Sequence, residues 1–169
     1  GFESAKYVCA PPLRKKEDQD CLWKGLADGT IQTVSTDHCS FTTEQKKLGE
    51  GDFTKIPGGM PGAETRGTLI YTYGVDKGRI TKEDMCRVLS ENPAKLYGLY
   101  PRKGVIAPGS DADLVIMRTG VEDVITAKDQ VQNVDYAPFE GTKVTGRVVS
   151  VFLRGLQAVK DGKVVEEKK

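Results

Sequence analysis

Two β-prone runs flank one amphipathic helix near the start of this chain, and that order limits the fold more than any other feature. The first run is Lys6–Cys9. It stops at Ala10-Pro11-Pro12, because two prolines remove two backbone donors and neither a central strand nor a helix interior holds them. An amphipathic stretch, Glu17–Ala27, follows with Cys21, Leu22, Trp23 and Leu26 as its apolar side. Asp28-Gly29 then gives a helix stop and a turn. Thr30–Ser35 (TIQTVS) is β-branched and reads as the second strand. Strand, helix and strand joined by short connections form a βαβ unit, which predicts an α/β fold with a parallel sheet. Asp37 falls just past the C-terminal end of the second strand.

From Ser40 to Gly62 the chain is polar and irregular, closing on Ile56-Pro57-Gly58-Gly59-Met60-Pro61-Gly62. A loop of that length inside a domain is more often functional than a plain connector. Helical spacing resumes over Ala63–Val75 and Lys82–Leu89, with Thr81 as an N-cap and Asp84 three residues on. Asn92–Leu96 reads as a short helix with Pro93 in its first turn. The character changes at Pro101-Arg102-Lys103-Gly104. Beyond it β-branched runs alternate with turns: Val105-Ile106, Leu114–Ile116, Val121–Ile125, Val144, Val148–Leu153 and Val164-Val165. This predicts an antiparallel β-region and a domain boundary at about residue 100. The terminal Glu166-Glu167-Lys168-Lys169 reads as a frayed, solvated end.

The 169 residues carry 25 Lys and Arg against 24 Asp and Glu, a net charge of +1. Such balance gives no electrostatic footprint for nucleic acid. No apolar run approaches the ~18 residues of a membrane span, and Gly1–Tyr7 has no apolar signal-peptide core. The sharper exclusion is histidine, of which there is one, His38. A zinc hydrolase site usually takes two or three imidazoles, so either the chemistry uses no metal or most of the ligands lie outside this chain. Cys9, Cys21, Cys39 and Cys86 contain no C-x-x-C pair and read as reduced thiols of a cytoplasmic protein.

Three stretches then carry a family pattern. The first is Ala10-Pro11-Pro12-Leu13-Arg14 followed by Thr36-Asp37-His38-Cys39-Ser40-Phe41. The second is Phe53-Thr54-Lys55-Ile56-Pro57-Gly58-Gly59 with Gly62-Ala63-Glu64-Thr65-Arg66. The third runs from Pro93–Leu99 through Lys103-Gly104-Val105-Ile106-Ala107-Pro108-Gly109-Ser110-Asp111-Ala112-Asp113-Leu114-Val115-Ile116 to Tyr136-Ala137-Pro138-Phe139-Glu140-Gly141. Together they resemble the C-terminal part of the cyclic amidohydrolases of the dihydropyrimidinase/hydantoinase family. The resemblance implies the last βα units of a (β/α)₈ TIM-type barrel over residues 1–100. Residues 101–169 would then be the C-terminal strands of a β-sandwich. A complete barrel takes ~250 residues, so the chain is expected to be a fragment. The missing N-terminal part would hold most ligands of two zinc ions: a His-x-His, a carboxylated lysine and two further histidines. The whole enzyme is expected to be a cytoplasmic homotetramer that opens cyclic amides by attack of a metal-bound hydroxide. The 169-residue chain alone is expected to be inactive.

On the same resemblance Asp37 is the catalytic and metal-binding residue, at the C-terminal end of a barrel strand. From spacing alone the stronger reading is an ordinary aspartate that caps the next loop. Ala10 and Gly58 match positions whose backbone groups contact the cyclic diamide, although a serine and an asparagine are common there in relatives. Their plain readings are a strand end and a turn. His38 points away from Asp37 if both leave one strand, and is expected to support the site by hydrogen bonding. Cys39 reads as a buried small residue. Arg14, Glu64 and Arg66 read as structural; Trp23, Tyr71, Tyr73 and Phe139 read as packing residues. The competing readings are a non-catalytic interaction protein on the same fold, as in the collapsin response mediators, or another cyclic amidohydrolase such as dihydroorotase or allantoinase. The non-catalytic relatives lose the metal-binding aspartate, so Asp37 favours the enzyme.

Overall fold

The computed structural model describes residues 2–165; the expected frayed end at 166–169 lies outside the described residues. Contacts sort the chain into two interleaved units. One comprises the chain up to Asp20, Ser35–Arg66 and Val124–Lys143; the other comprises Cys21–Val34, Gly67–Asp123 and the chain from Val144 onward.

In the second unit, helix α1 (Lys16–Ala27, whose first turns belong to the other unit) reaches the core through Leu26 and the half-buried Trp23. Leu26, Ile80 and Val88 form the buried centre, with Trp23, Ile31, Val34, Ile70, Val75, Met85 and Leu89 packed around it. The expected apolar face of α1 is thus corrected: Cys21 and Leu22 are exposed, and the buried side is Leu26 with Gly25, against which Ile31 packs. Gly74 lets a helical turn approach the indole, since a Cβ there would lie 2.7 Å from the Trp23 ring.

The two expected strands are also corrected. Lys6 and Tyr7 close a 3₁₀ turn, Phe2–Tyr7, and Thr30–Ser35 holds no strand. A strand exists only where a neighbour completes its ladder. Here the backbone of 30–35 bonds to helical carbonyls instead: Ile31 N–H to Gly25 at 2.8 Å and Val34 N–H to Val88 at 3.0 Å. No parallel pair therefore forms among the described residues.

Local signals fared better. Helix α2 (Thr43–Lys46) interrupts the segment expected to be irregular, and Thr42 and Gln45 form its capping box. Helix α3 (Arg66–Ile70) passes into a π-helical turn, Tyr71–Val75. Helix α4 (Lys82–Cys86) starts at the expected Thr81–Asp84 box and continues through a second π turn, Arg87–Glu91, into α5 (Asn92–Leu96), with Pro93 in its first turn.

Beyond residue 113 the chain is mostly strand, in the sheet order β1 (Leu114–Val124), β2 (Lys143–Leu153), β3 (Leu156–Lys160), β4 (Lys163–Val164). The pairs β2–β3 and β3–β4 are antiparallel, with Val151 opposite Val159, Leu153 opposite Leu156 and Lys160 opposite Lys163. Their two-residue turns, Arg154-Gly155 and Asp161-Gly162, all have positive φ, the twist-matched hairpin geometry. The expected strand at Val105-Ile106 is absent; it lies among turns. In that stretch Lys103 pairs with Asp111 at 2.9 Å and with Asp113, whose other oxygen accepts the Arg154 N–H at 2.7 Å. The Asp-Ala-Asp motif thus ties the first strand's entry to the β2–β3 turn.

Candidate active site

The candidate residues sit in the first unit, on three loop segments held by backbone contacts. The glycine-rich loop 56–62 lies between the other two. On one side Gly59 N–H donates to the Val8 carbonyl at 3.0 Å; on the other, Cys39 N–H donates to the Met60 carbonyl at 3.2 Å. Gly59 is needed for that sandwich, because a Cβ would collide with the Cys39 carbonyl oxygen and lie 2.9 Å from the Cys39 Cβ. Gly58 is different. A Cβ there would meet the Ala10 nitrogen at 3.8 Å and the Ala10 Cβ at 3.9 Å, ordinary contact distances. The structure thus brings Ala10 and Gly58 together, both exposed, backbone beside backbone.

Asp37 is exposed and does not cap a strand, since no strand precedes it. Its φ of 45° lies in the left-handed region, which Asp and Asn tolerate better than other side chains. Strained backbone of this kind, at a cost of about 1 kcal/mol or more, clusters at functional sites.

His38, next in sequence, faces the glycine-rich loop. Its Nδ1 accepts from the N–H groups of Gly62 and Ala63, each at 3.1 Å. Nδ1 thus turns its lone pair to these two donors and is not free for a metal. The expected supporting role of His38 is what the geometry gives. Cys39 is exposed rather than buried, although its side chain lies beside Gly59. Glu64 is structural as expected: its carboxylate accepts from the N–H groups of Val131 and Gln132 at 3.1 and 3.2 Å.

One residue escaped the sequence reading. Lys46, at the end of α2, is 1% exposed. Its ammonium donates to the carbonyls of Val8 (2.9 Å), Pro57 (2.6 Å) and Gly59 (2.8 Å), with the Phe41 ring 5.5 Å away. Three donors meet three acceptors, which is the condition for burying an ammonium at all. Burial pushes the Lys46 amine below the usual lysine range. The available signal was the capping box Thr42-x-x-Gln45, which marks a helix start and puts Lys46 in its last turn.

Set against known proteins, residues 5–165 match the model of the amidohydrolase family. The chain is 52% identical over 165 residues to a D-hydantoinase of Geobacillus stearothermophilus, covering 97% of this chain and 35% of that relative. It is 50% identical over 155 residues to a D-hydantoinase of Streptomyces coelicolor, covering 91% of this chain and 33% of the relative. A solved D-hydantoinase (dihydropyrimidinase) from Thermus sp. superposes with a TM-score of 0.95 at 50% identity, covering 99% of this chain and 37% of that one. The chain spans about a third of the length of the relatives it matches.

Proposed function

The chain belongs to the amidohydrolase family, and on that footing we propose that it is the C-terminal portion of a dihydropyrimidinase/hydantoinase, a hydrolase opening dihydropyrimidines or 5-substituted hydantoins. The observation that carries this reading is the apposition of the Ala10 and Gly58 backbones beside the segment bearing Asp37. A cyclic diamide presents alternating N–H and C=O edges, and adjacent main-chain N–H and C=O groups are complementary to them whatever the side chains.

Ring opening adds one water across a C–N bond. A C–O bond forms at the carbonyl carbon, the C–N bond breaks, and a proton passes from the water to the leaving nitrogen. In this reading Asp37 takes that proton and returns it, while Ala10 and Gly58 hold the ring. Zinc is the cofactor that the resemblance implies. Among the described residues no group of three His, Cys, Asp or Glu side chains could hold a metal ion, and His38 Nδ1 is already engaged. The residues of this chain do not fit a complete zinc centre. Asp37 offers one oxygen, and the nitrogen ligands are assigned to the part of the relatives' length that the chain does not span.

The barrel-and-sandwich architecture, with 1–100 in the barrel and 101–169 in the sandwich, belongs to the same proposal. It is supported by the order of elements: every α-helix named above ends by Leu96 and every strand starts after Asp113. A cytoplasmic homotetramer completes the reading. Four free cysteines support a reducing compartment, and exposed apolar side chains such as Phe53 and Ile106 support association.

The test is a chimera in which this chain replaces the matching 165 residues of the Geobacillus stearothermophilus D-hydantoinase. It is assayed on hydantoin, dihydrouracil, dihydroorotate and allantoin. Turnover of hydantoin or dihydrouracil is expected; turnover of dihydroorotate or allantoin alone, or of none, would overturn the assignment.

A further inference from the structure

We propose that Lys46 is a positioning residue that sets the spacing between the Ala10 and Gly58 backbones, and so the fit of a cyclic diamide between them. The inference deepens the cyclic-amide reading and rests on it for the identity of the ligand. Val8 lies two residues before Ala10, while Pro57 and Gly59 bracket Gly58. One ammonium holds all three of these carbonyls, at 2.6 to 2.9 Å, from a side chain that is 1% exposed.

Among the described residues, one direct backbone hydrogen bond joins the two loops, Gly59 N–H to the Val8 carbonyl. The glycine loop has no strand or long helix to stiffen it. Charge-assisted bonds of this kind are roughly twice as strong as neutral ones. Lys46 therefore pins both loops to the end of α2, whose own start is fixed by the Thr42–Gln45 box. Its ammonium is bonded to three carbonyls beside the Phe41 ring and is buried, whereas Ala10 and Gly58 are exposed, so its effect on substrate is through them.

The direct measurement is amide hydrogen exchange in the 169-residue chain, comparing wild type with Lys46→Met, which keeps the length and removes every donor. Exchange of the Gly59 amide is expected to quicken at least tenfold, while amides at Ile31 and Val34 stay unchanged. Equal protection of Gly59 in both proteins would overturn the clamp. Should Lys46→Met fail to fold, the wild-type chain still decides: the Nζ protons should persist in ¹⁵N-detected spectra at neutral pH, and rapid exchange of them with solvent would overturn it.

In the chimera, Lys46→Met is expected to raise KM at least tenfold with kcat within about threefold, since the ring is held less well. A purely structural role would lower the active fraction, hence kcat, and leave KM alone; that result would overturn the positioning role. An inactive wild-type chimera would instead count against the cyclic-amide reading, with the exchange comparison still deciding the clamp.

Discussion

Gly58 and Gly59 stand side by side in the glycine loop with opposite surroundings. A methyl group at 59 would be driven into the Cys39 carbonyl, whereas one at 58 would make ordinary contact with Ala10. Gly59→Ala should therefore cost about 2 kcal/mol, the scale of overpacking. Gly58→Ala should stay within about 0.5 kcal/mol, as a surface change does. Urea denaturation of both variants checks the pair, and equal costs would contradict the assigned packing. Asp84 closes the capping box of α4 with Thr81. The Arg87 guanidinium, 2.8 Å away, with the Thr81 N–H and hydroxyl, holds its carboxyl at about 2, below the ordinary 3.8. Its folded value is the lower one, so the stabilisation is complete above about pH 3.8 and fades as the pH falls toward 2. With the pair about a quarter exposed, the contribution is about 1 kcal/mol after screening. Asp84→Asn should flatten that part of the stability profile between pH 5 and 2; an unchanged slope would contradict it.

Elements legible in the sequence are those whose cause is local. The Thr81–Asp84 box and Pro93 in the first turn of α5 need nothing beyond four consecutive residues, and both stand where expected. Lys6–Cys9 and Thr30–Ser35 failed because β-propensity describes a fit to a neighbouring strand, and here helical carbonyls take the hydrogen bonds instead. Helix α2 was legible but missed, being four residues long inside a polar stretch. Of the site, the Asp37-His38-Cys39 run and the glycine loop could be found by pattern. The burial of Lys46 could not, since its acceptors come from residues 38 positions before it and 11 to 13 after it. Thr42→Ala should cost about 1 kcal/mol by loss of the cap, and should also speed exchange of the Gly59 amide, because α2 carries Lys46. Exchange unchanged despite the lost stability would uncouple the helix from the loop.

At the scale of the whole molecule, the chain covers about a third of its relatives' length. It offers one candidate acid–base carboxylate and no metal-holding cluster among the described residues. It should therefore be inactive by itself on hydantoin with added zinc, and become active only within a full-length frame. Chain-alone turnover that a chelator abolishes would show that the nitrogen ligands assigned elsewhere are not needed. Within that frame we propose that Asp37 moves the proton. Asn is the substitution that isolates this, because it tolerates the φ of 45° and removes only the charge and the basic oxygen. The decisive measurement is kcat for dihydrouracil in the chimera with and without Asp37→Asn. A loss of at least about 10²-fold, the usual worth of a positioned acid–base group, is predicted with the melting temperature unchanged. A kcat within threefold of the wild type would contradict the account.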